Sequence, residues 1–166
     1  NKEYGFKEAI VAEPTMAQAV LAHRGIVSTR MVFKGQAGHA SDANALELSA
    51  VHQAMHWGEK ALNHVQSLQH LRFGGLTGFR FNIGRVEGGI KANMIAPSAE
   101  VRFGFRPLPS QDFEELHQTF RSFTMEKVLA EYEETFRGAC LPAGDIASAE
   151  NRRLEARNLA DSLGLD

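Results

Sequence analysis

The chain has 166 residues, a formal net charge of -2 and 43% hydrophobic residues, which fits one soluble domain able to build a core without staples. Its lysines and arginines are scattered, so nothing points to a phosphate-tracking surface for nucleic acid or to an anionic membrane partner. The single cysteine, Cys140, excludes an internal disulfide, and no apolar run approaches the ~20 residues of a spanning helix; a reducing, cytoplasmic setting fits best.

The chain opens at Asn1 close to a short apolar run and reads as a piece cut from something longer. That run, Glu8 to Ala12, is apolar on both faces and predicts a strand buried in a parallel sheet. Glu13 follows at the carboxyl end, where Pro14 stops the strand. A carboxylate there suits metal binding or catalysis, or is a strand-end glutamate in solvent.

From Gly25 to Phe33, Val27, Thr29, Met31 and Phe33 alternate with wetter residues and predict a half-exposed antiparallel strand. It runs into Lys34 to Ser41, a loop whose glycines and small residues leave His39 free to reach outward. An imidazole so placed can donate a hydrogen bond to a developing oxyanion, or be an ordinary surface histidine. After Ser41 or Asp42 a long helix is predicted to about Val65, with Leu48, Val51, Met55, Leu62 and Val65 as its buried stripe. His52, His56 and Glu59 share another face at metal-ligand spacing, but without a flanking motif they read as solvated. Trp57 points away from the apolar stripe and reads as a weak interface clue.

His64 to Gly75 reads as a linker, and Phe79, Phe81 and Ile83 mark a second strand ending between Gly84 and Gly89. Gly88 and Gly89 allow a tight reversal. Ala99, Val101, Phe103 and Phe105 then alternate with Glu100, Arg102, Gly104 and Arg106, so a third strand turns Arg106 away from the core. Asn93, in the segment feeding that strand, could converge with the Arg106 guanidinium on a small carboxylate; a turn amide and a solvated arginine are the plainer alternative. Beyond Pro109, Ser110 can cap a helix with Phe113, Leu116, Phe120 and Phe123 inward, ending near Lys127. Glu131 to Arg137 reads as a fourth strand carrying Tyr132 and Phe136. Asp145 or Ser148 then caps an amphipathic helix with Ile146, Ala149, Ala156, Ala160 and Leu163, closed by Gly164.

The order β-α-β-β-α-β predicts an α+β, ferredoxin-like sandwich: a four-stranded antiparallel sheet with two helices on one face. The first strand and the last helix lie outside it, which divides the chain into end segments 1–22 and 139–166 of one domain and a central domain 23–138. An RNA-recognition module has the same order, but the phenylalanines of Arg102-Phe103-Gly104-Phe105 fall on the core side and the charge is acidic. A small-molecule-binding regulatory or dimerisation module without chemistry is the other alternative.

Ala12-Glu13-Pro14-Thr15, Arg24-Gly25, Gly38-His39-Ala40-Ser41, Asn44-Ala45, Gly88-Gly89 to Asn93, and Arg106, in this order and at these intervals, are similar to the dimerisation (lid) domain of the M20 metallopeptidase and deacetylase family. The resemblance covers nearly the whole chain and is nearest to the branch acting on N-acetylated amino acids of arginine biosynthesis. It implies a homodimer joined through the lid, a small acetylated amino-acid substrate, and a pair of divalent metals, zinc or cobalt, that activate water. Glu13 matches a metal ligand, His39 the histidine that crosses to the partner's active site and stabilises the oxyanion, and Asn93 and Arg106 the grip on the substrate carboxylate. The family's His-x-Asp motif, bridging aspartate, Glu-Glu pair and last histidine ligand have no counterpart here. The resemblance therefore implies that this chain alone neither hydrolyses substrate nor binds metal tightly.

Overall fold

The computed structural model describes residues 22–125, 129–138 and 146–164. The unit within Ala22–Ala143 contains every element below except the last helix, which belongs to a second compact unit and is described by itself. In chain order the elements are β1 (Val27–Lys34), β2 (Gly38–His39), α1 (Ala45–Leu48), α2 (Ala50–Ser67), a 3-10 turn (Leu68–His70), β3 (Arg72–Phe73), β4 (Leu76–Thr77), β5 (Arg80–Gly88), β6 (Met94–Ile95), β7 (Ser98–Arg106), α3 (Phe113–Ser122), β8 (Leu129–Arg137) and α4 (Ile146–Ser162).

The main sheet has the order β5-β7-β1-β8 and its pairings are antiparallel, with α2 and α3 packed on one face. This is the ferredoxin-like sandwich that the element order predicts. Alternation builds the buried face: Val27, Thr29, Met31 and Phe33 of β1 join Ala99, Val101, Phe103 and Phe105 of β7, all at or below 3% exposure. The open face carries Arg30, Glu100 and Arg102, where Glu100 accepts from Arg30 Nε at 2.7 Å and Arg102 Nε at 2.6 Å. Those guanidinium groups hold the Glu100 carboxyl below its ordinary value.

The inner face of α2 differs from the expected stripe. Its buried residues are Ala50, Gln53, Ala54, Trp57, Gly58 and Ala61; of the expected stripe Val51 and Val65 pack against the core, while Met55 and Leu62 are exposed. Small side chains let the helix lie close to the sheet, and Trp57 fills the space between layers. Trp57 is fully buried among Phe33, Phe103 and Phe120, and its Nε1–H donates to the Phe120 carbonyl at 2.8 Å, tying α2 to α3. The interface role expected for this indole is thereby corrected to that of a core residue. The helix also begins later: the chain breaks at Ser49, whose extended backbone separates α1 from α2 and whose Oγ accepts the His52 N–H.

Other boundaries move for local reasons. Asp112, not Ser110, caps α3, its Oδ1 accepting from Glu115 N–H at 2.9 Å, and the helix ends at Ser122. The linker expected after His64 holds the end of α2, the 3-10 turn and the β3–β4 hairpin. In β8 the register shifts opposite Ser28 and Thr29, leaving Thr135 as an extra residue. Tyr132 therefore packs on the core while Phe136 lies opposite Ser28 and is exposed. In α4, Leu154 lies across the helix from Leu159 and Leu163, and all three are exposed. Among the described residues no helix is long and apolar enough to cross a membrane.

Candidate functional site

At the end of the sheet where β1 stops and β7 starts, three loop segments are laced together by backbone hydrogen bonds. Gly35 N–H donates to Pro97 O at 2.9 Å, Gln36 N–H to Leu48 O at 3.0 Å, and Ala50 N–H to Ala96 O at 2.9 Å. Only glycine fits at position 35, because a Cβ there would stand 2.4 Å from Ala96 O and 2.5 Å from Leu48 O. Gly89 serves the same junction differently: its φ of 77° turns the chain out of β5 into the 90–93 segment.

On this base stands a two-stranded ribbon in which β2 pairs antiparallel with β6, Gly38 opposite Ile95 and His39 opposite Met94. Ile95 is buried and anchors the ribbon. Its exposed tip carries His39, and Ala40 N–H donates to the Asn93 carbonyl at 3.0 Å. His39 and Asn93 are thus brought together, 54 positions apart in sequence, by a ladder too short to leave a periodic signature. Next to them Asp42 N–H donates to His39 O at 3.0 Å, closing a turn that folds Ser41 back onto the imidazole. Ser41 Oγ is 2.7 Å from His39 Nδ1, and Ser41 N–H reaches the same nitrogen at 3.2 Å. Sequence reading treats Ser41 only as a small neighbour or helix cap; a hydroxyl two positions beyond a loop histidine was the available signal.

Arg106 is elsewhere. It ends β7, and the eight steps from Ser98 at ~3.3 Å each place it roughly 26 Å from the ribbon's end of the sheet. Convergence of Asn93 and Arg106 on one small carboxylate therefore does not occur within a single chain. Arg106 is exposed and lies directly opposite Arg80 of β5. Arg24 is nearby, donating from its guanidinium to the Gly78 carbonyl and, at 2.6 Å, to the Thr77 carbonyl. Burial and the charge of Arg80 both push the Arg24 guanidinium below its ordinary value. Like charges facing each other across strands are unfavourable without a counter-charge, so this end of the sheet concentrates positive charge.

Glu13 lies outside the described residues. His56 and Glu59 are exposed, and His52 Nδ1 lies 3.3 Å from the Leu46 carbonyl. Among the described residues no group of three His, Cys, Asp or Glu side chains could hold a metal ion. They do not fit a dinuclear centre.

The unit is thus a ferredoxin-like α+β domain with a histidine-bearing ribbon at one end and an arginine cluster at the other. The chain belongs to the M20 family, for it matches the peptidase dimerisation domain of that family over residues 21–132. N-acetyl-L-citrulline deacetylase of Xanthomonas campestris pv. campestris is 64% identical over 160 residues, which covers 96% of this chain and 43% of that protein. Acetylornithine deacetylase of Shigella sonnei is 34% identical over 113 residues, covering 66% of this chain and 29% of that protein. The chain thus spans less than half the length of these relatives. Among solved structures, aminopeptidase PepT from Bacillus cereus superposes with a TM-score of 0.57 at 16% identity over 87% of this chain and 37% of that one. A hydantoinase/carbamoylase family amidase from Burkholderia vietnamiensis does so with a TM-score of 0.56 at 17% identity over 86% and 33%. At such identity these two speak for the fold alone.

Proposed function

We propose that this chain is the lid and dimerisation part of a metal-dependent amidohydrolase that removes the acetyl group from an N-acetylated amino acid of arginine biosynthesis. N-acetyl-L-citrulline is the favoured substrate and N-acetyl-L-ornithine the next, in line with 64% identity to a deacetylase of the first and 34% to one of the second. In the reaction water adds to the acetyl carbonyl carbon, the C–N bond breaks, and acetate and the free α-amine leave. A pair of divalent metals, zinc or cobalt, held largely outside this chain with Glu13 as one ligand, supplies the activation of water. Residues 1–22 and 139–166 belong to that catalytic domain and 23–138 form the lid, in a cytoplasmic protein.

The observation that carries this reading is the ribbon that presents His39 beside Asn93. His39 donates from its outward nitrogen to the carbonyl oxygen as it gains charge, and Asn93 and Arg106 hold the substrate carboxylate, Arg106 with a bidentate grip. Because the ribbon and Arg106 are at opposite ends of the sheet, one substrate is served by His39 and Asn93 of one copy and Arg106 of another. A homodimer follows. The edge of β5 that has no strand partner among the described residues, with exposed Val86, and exposed Ile90, Met55 and Leu62 nearby in the chain or on the outer side of α2, supply apolar surface for it.

The test is deacetylation of N-acetylcitrulline and N-acetylornithine by the full-length protein with added zinc or cobalt, beside its His39→Ala variant. The expected outcome is preference for the citrulline compound and a loss of ~10²-fold or more in kcat in the variant. An unchanged kcat would sink the oxyanion role, and no turnover of either compound would sink the substrate class.

A further inference from the structure

The two ring nitrogens of His39 stand in different surroundings, and the difference bears on which of them carries the proton. Nδ1 receives the Ser41 backbone N–H at 3.2 Å and lies 2.7 Å from the Ser41 hydroxyl oxygen. An amide N–H can only donate, so the nitrogen it points at serves as an acceptor, and a proton on Nδ1 would set hydrogen against hydrogen. With Nδ1 accepting, the hydroxyl also turns its hydrogen toward the ring. The neutral imidazole then keeps its proton on Nε2, which has no hydrogen-bond partner among the described residues. The backbone holds this arrangement in place: Asp42 N–H to His39 O closes the turn, Ala40 N–H to Asn93 O fixes the residue between ring and hydroxyl, and Asp42 Oδ1 accepts from Asn44 N–H at 2.8 Å.

We propose that Ser41 is a positioning residue that holds His39 in its Nε2–H tautomer, with the donor aimed outward from the ribbon. This rests on the reading of His39 as the oxyanion donor: a ring protonated on Nδ1 would present a lone pair to the oxyanion and repel it. Ser41 does not touch the reacting atoms; its effect passes through the imidazole.

The tautomer can be read without substrate, which separates this proposal from the functional reading it deepens. Full-length protein labelled with 15N in histidine gives long-range 1H–15N spectra, with His39 assigned by its loss in His39→Gln. In spectra recorded at alkaline pH the expected pattern is an unprotonated Nδ1 and a protonated Nε2. Ser41→Ala keeps the backbone donor but loses the hydroxyl, so the Nδ1–H tautomer is expected to appear beside Nε2–H and kcat to fall about twofold, the loss that equal populations give, with KM little changed. Ser41→Thr, which keeps the hydroxyl, should restore both. A protonated Nδ1 in the unaltered protein overturns the proposal, as does a Ser41→Ala spectrum identical to the parent's. If the spectra come out as expected while His39→Gln retains full turnover, the tautomer assignment stands and the oxyanion role falls.

Discussion

His117 is 2% exposed between α3 and β8 with both ring nitrogens engaged, whereas His39 stands exposed on a two-residue ribbon with one nitrogen engaged and the other outward. His117 Nε2 donates to Glu134 Oε2 at 2.6 Å and its Nδ1 pairs with the Tyr132 hydroxyl at 2.7 Å. Glu134 is gripped in turn by Arg137 Nη2 at 2.7 Å, and that guanidinium also reaches Glu114 at 2.9 Å. Arg137 first, and His117 after it, hold the Glu134 carboxyl below its ordinary value. The same imidazole is thus saturated in one place and left half-used in the other. A buried ring with both nitrogens satisfied joins elements of the fold, and an exposed ring with one nitrogen engaged ties down only its own turn.

The contrast is broken most directly by His117→Ala. It leaves a cavity and strips Tyr132 and Glu134 of a partner, so a loss of about 3 kcal/mol in unfolding free energy is expected from urea denaturation. The corresponding exposed change, His39→Ala, should stay within about 0.5 kcal/mol of the parent while kcat collapses. Similar losses of stability in the two variants would erase the distinction.

A smaller effect is expected at Trp57→Phe, which keeps most of the aromatic packing but leaves the Phe120 carbonyl unpaired in the core. A cost of about 1–2 kcal/mol in the same denaturation series would place the tie between α2 and α3 on the structural side of the comparison. A neutral result would mean that packing alone holds the helices.

The smallest effect is a pH dependence. Burial, first of all, pushes the Tyr132 phenol from 10.0 to about 12. A group whose folded value is raised contributes stability that is complete below its unfolded value and is lost as pH rises through the folded one. The thermal midpoint should therefore fall between pH 10 and about 12, and Tyr132→Phe should flatten that limb. An unaltered alkaline limb in the variant would show that the phenol does not titrate with unfolding.

What the sequence discloses follows from how each element earns its burial. β7 alternates strictly because one face meets helices and the other does not, and β1 does so except at Val32, which is buried on the open face, so their inward residues are legible from period. The order of elements, and with it the sandwich, is legible for the same reason. The buried side of α2 is not. Its contact surface is made of Ala50, Ala54, Gly58 and Ala61 around a single Trp57, so large aliphatics such as Met55 and Leu62 mislead a reading that ranks residues by size. Phe136 is lost to one extra residue, Thr135, which no periodic rule foresees.

The site is legible in part. His39 and Asn93 stand out by type, loop context and family likeness, yet their adjacency depends on the β2–β6 ladder, which is a long-range pairing. That Arg106 stands far from both becomes visible only once the register of β7 against β1 and β5 is known. The hydrogen bond from Ser41 to His39 depends on a turn whose backbone contacts are invisible in a string of residues.

The nine residues of β7 also act as a ruler. Because successive side chains face opposite ways, only insertions or deletions in pairs keep Arg106 on its face of the sheet, and each pair changes the strand's length by ~6.6 Å. On the proposed function, in which two copies complete one site, such a change would displace the arginine from the histidine of the other copy by far more than the ~0.5 Å tolerance of a working site. The length of this strand would then be under selection independently of its composition, and natural or engineered variants should tolerate new side chains along β7 more readily than a new residue count.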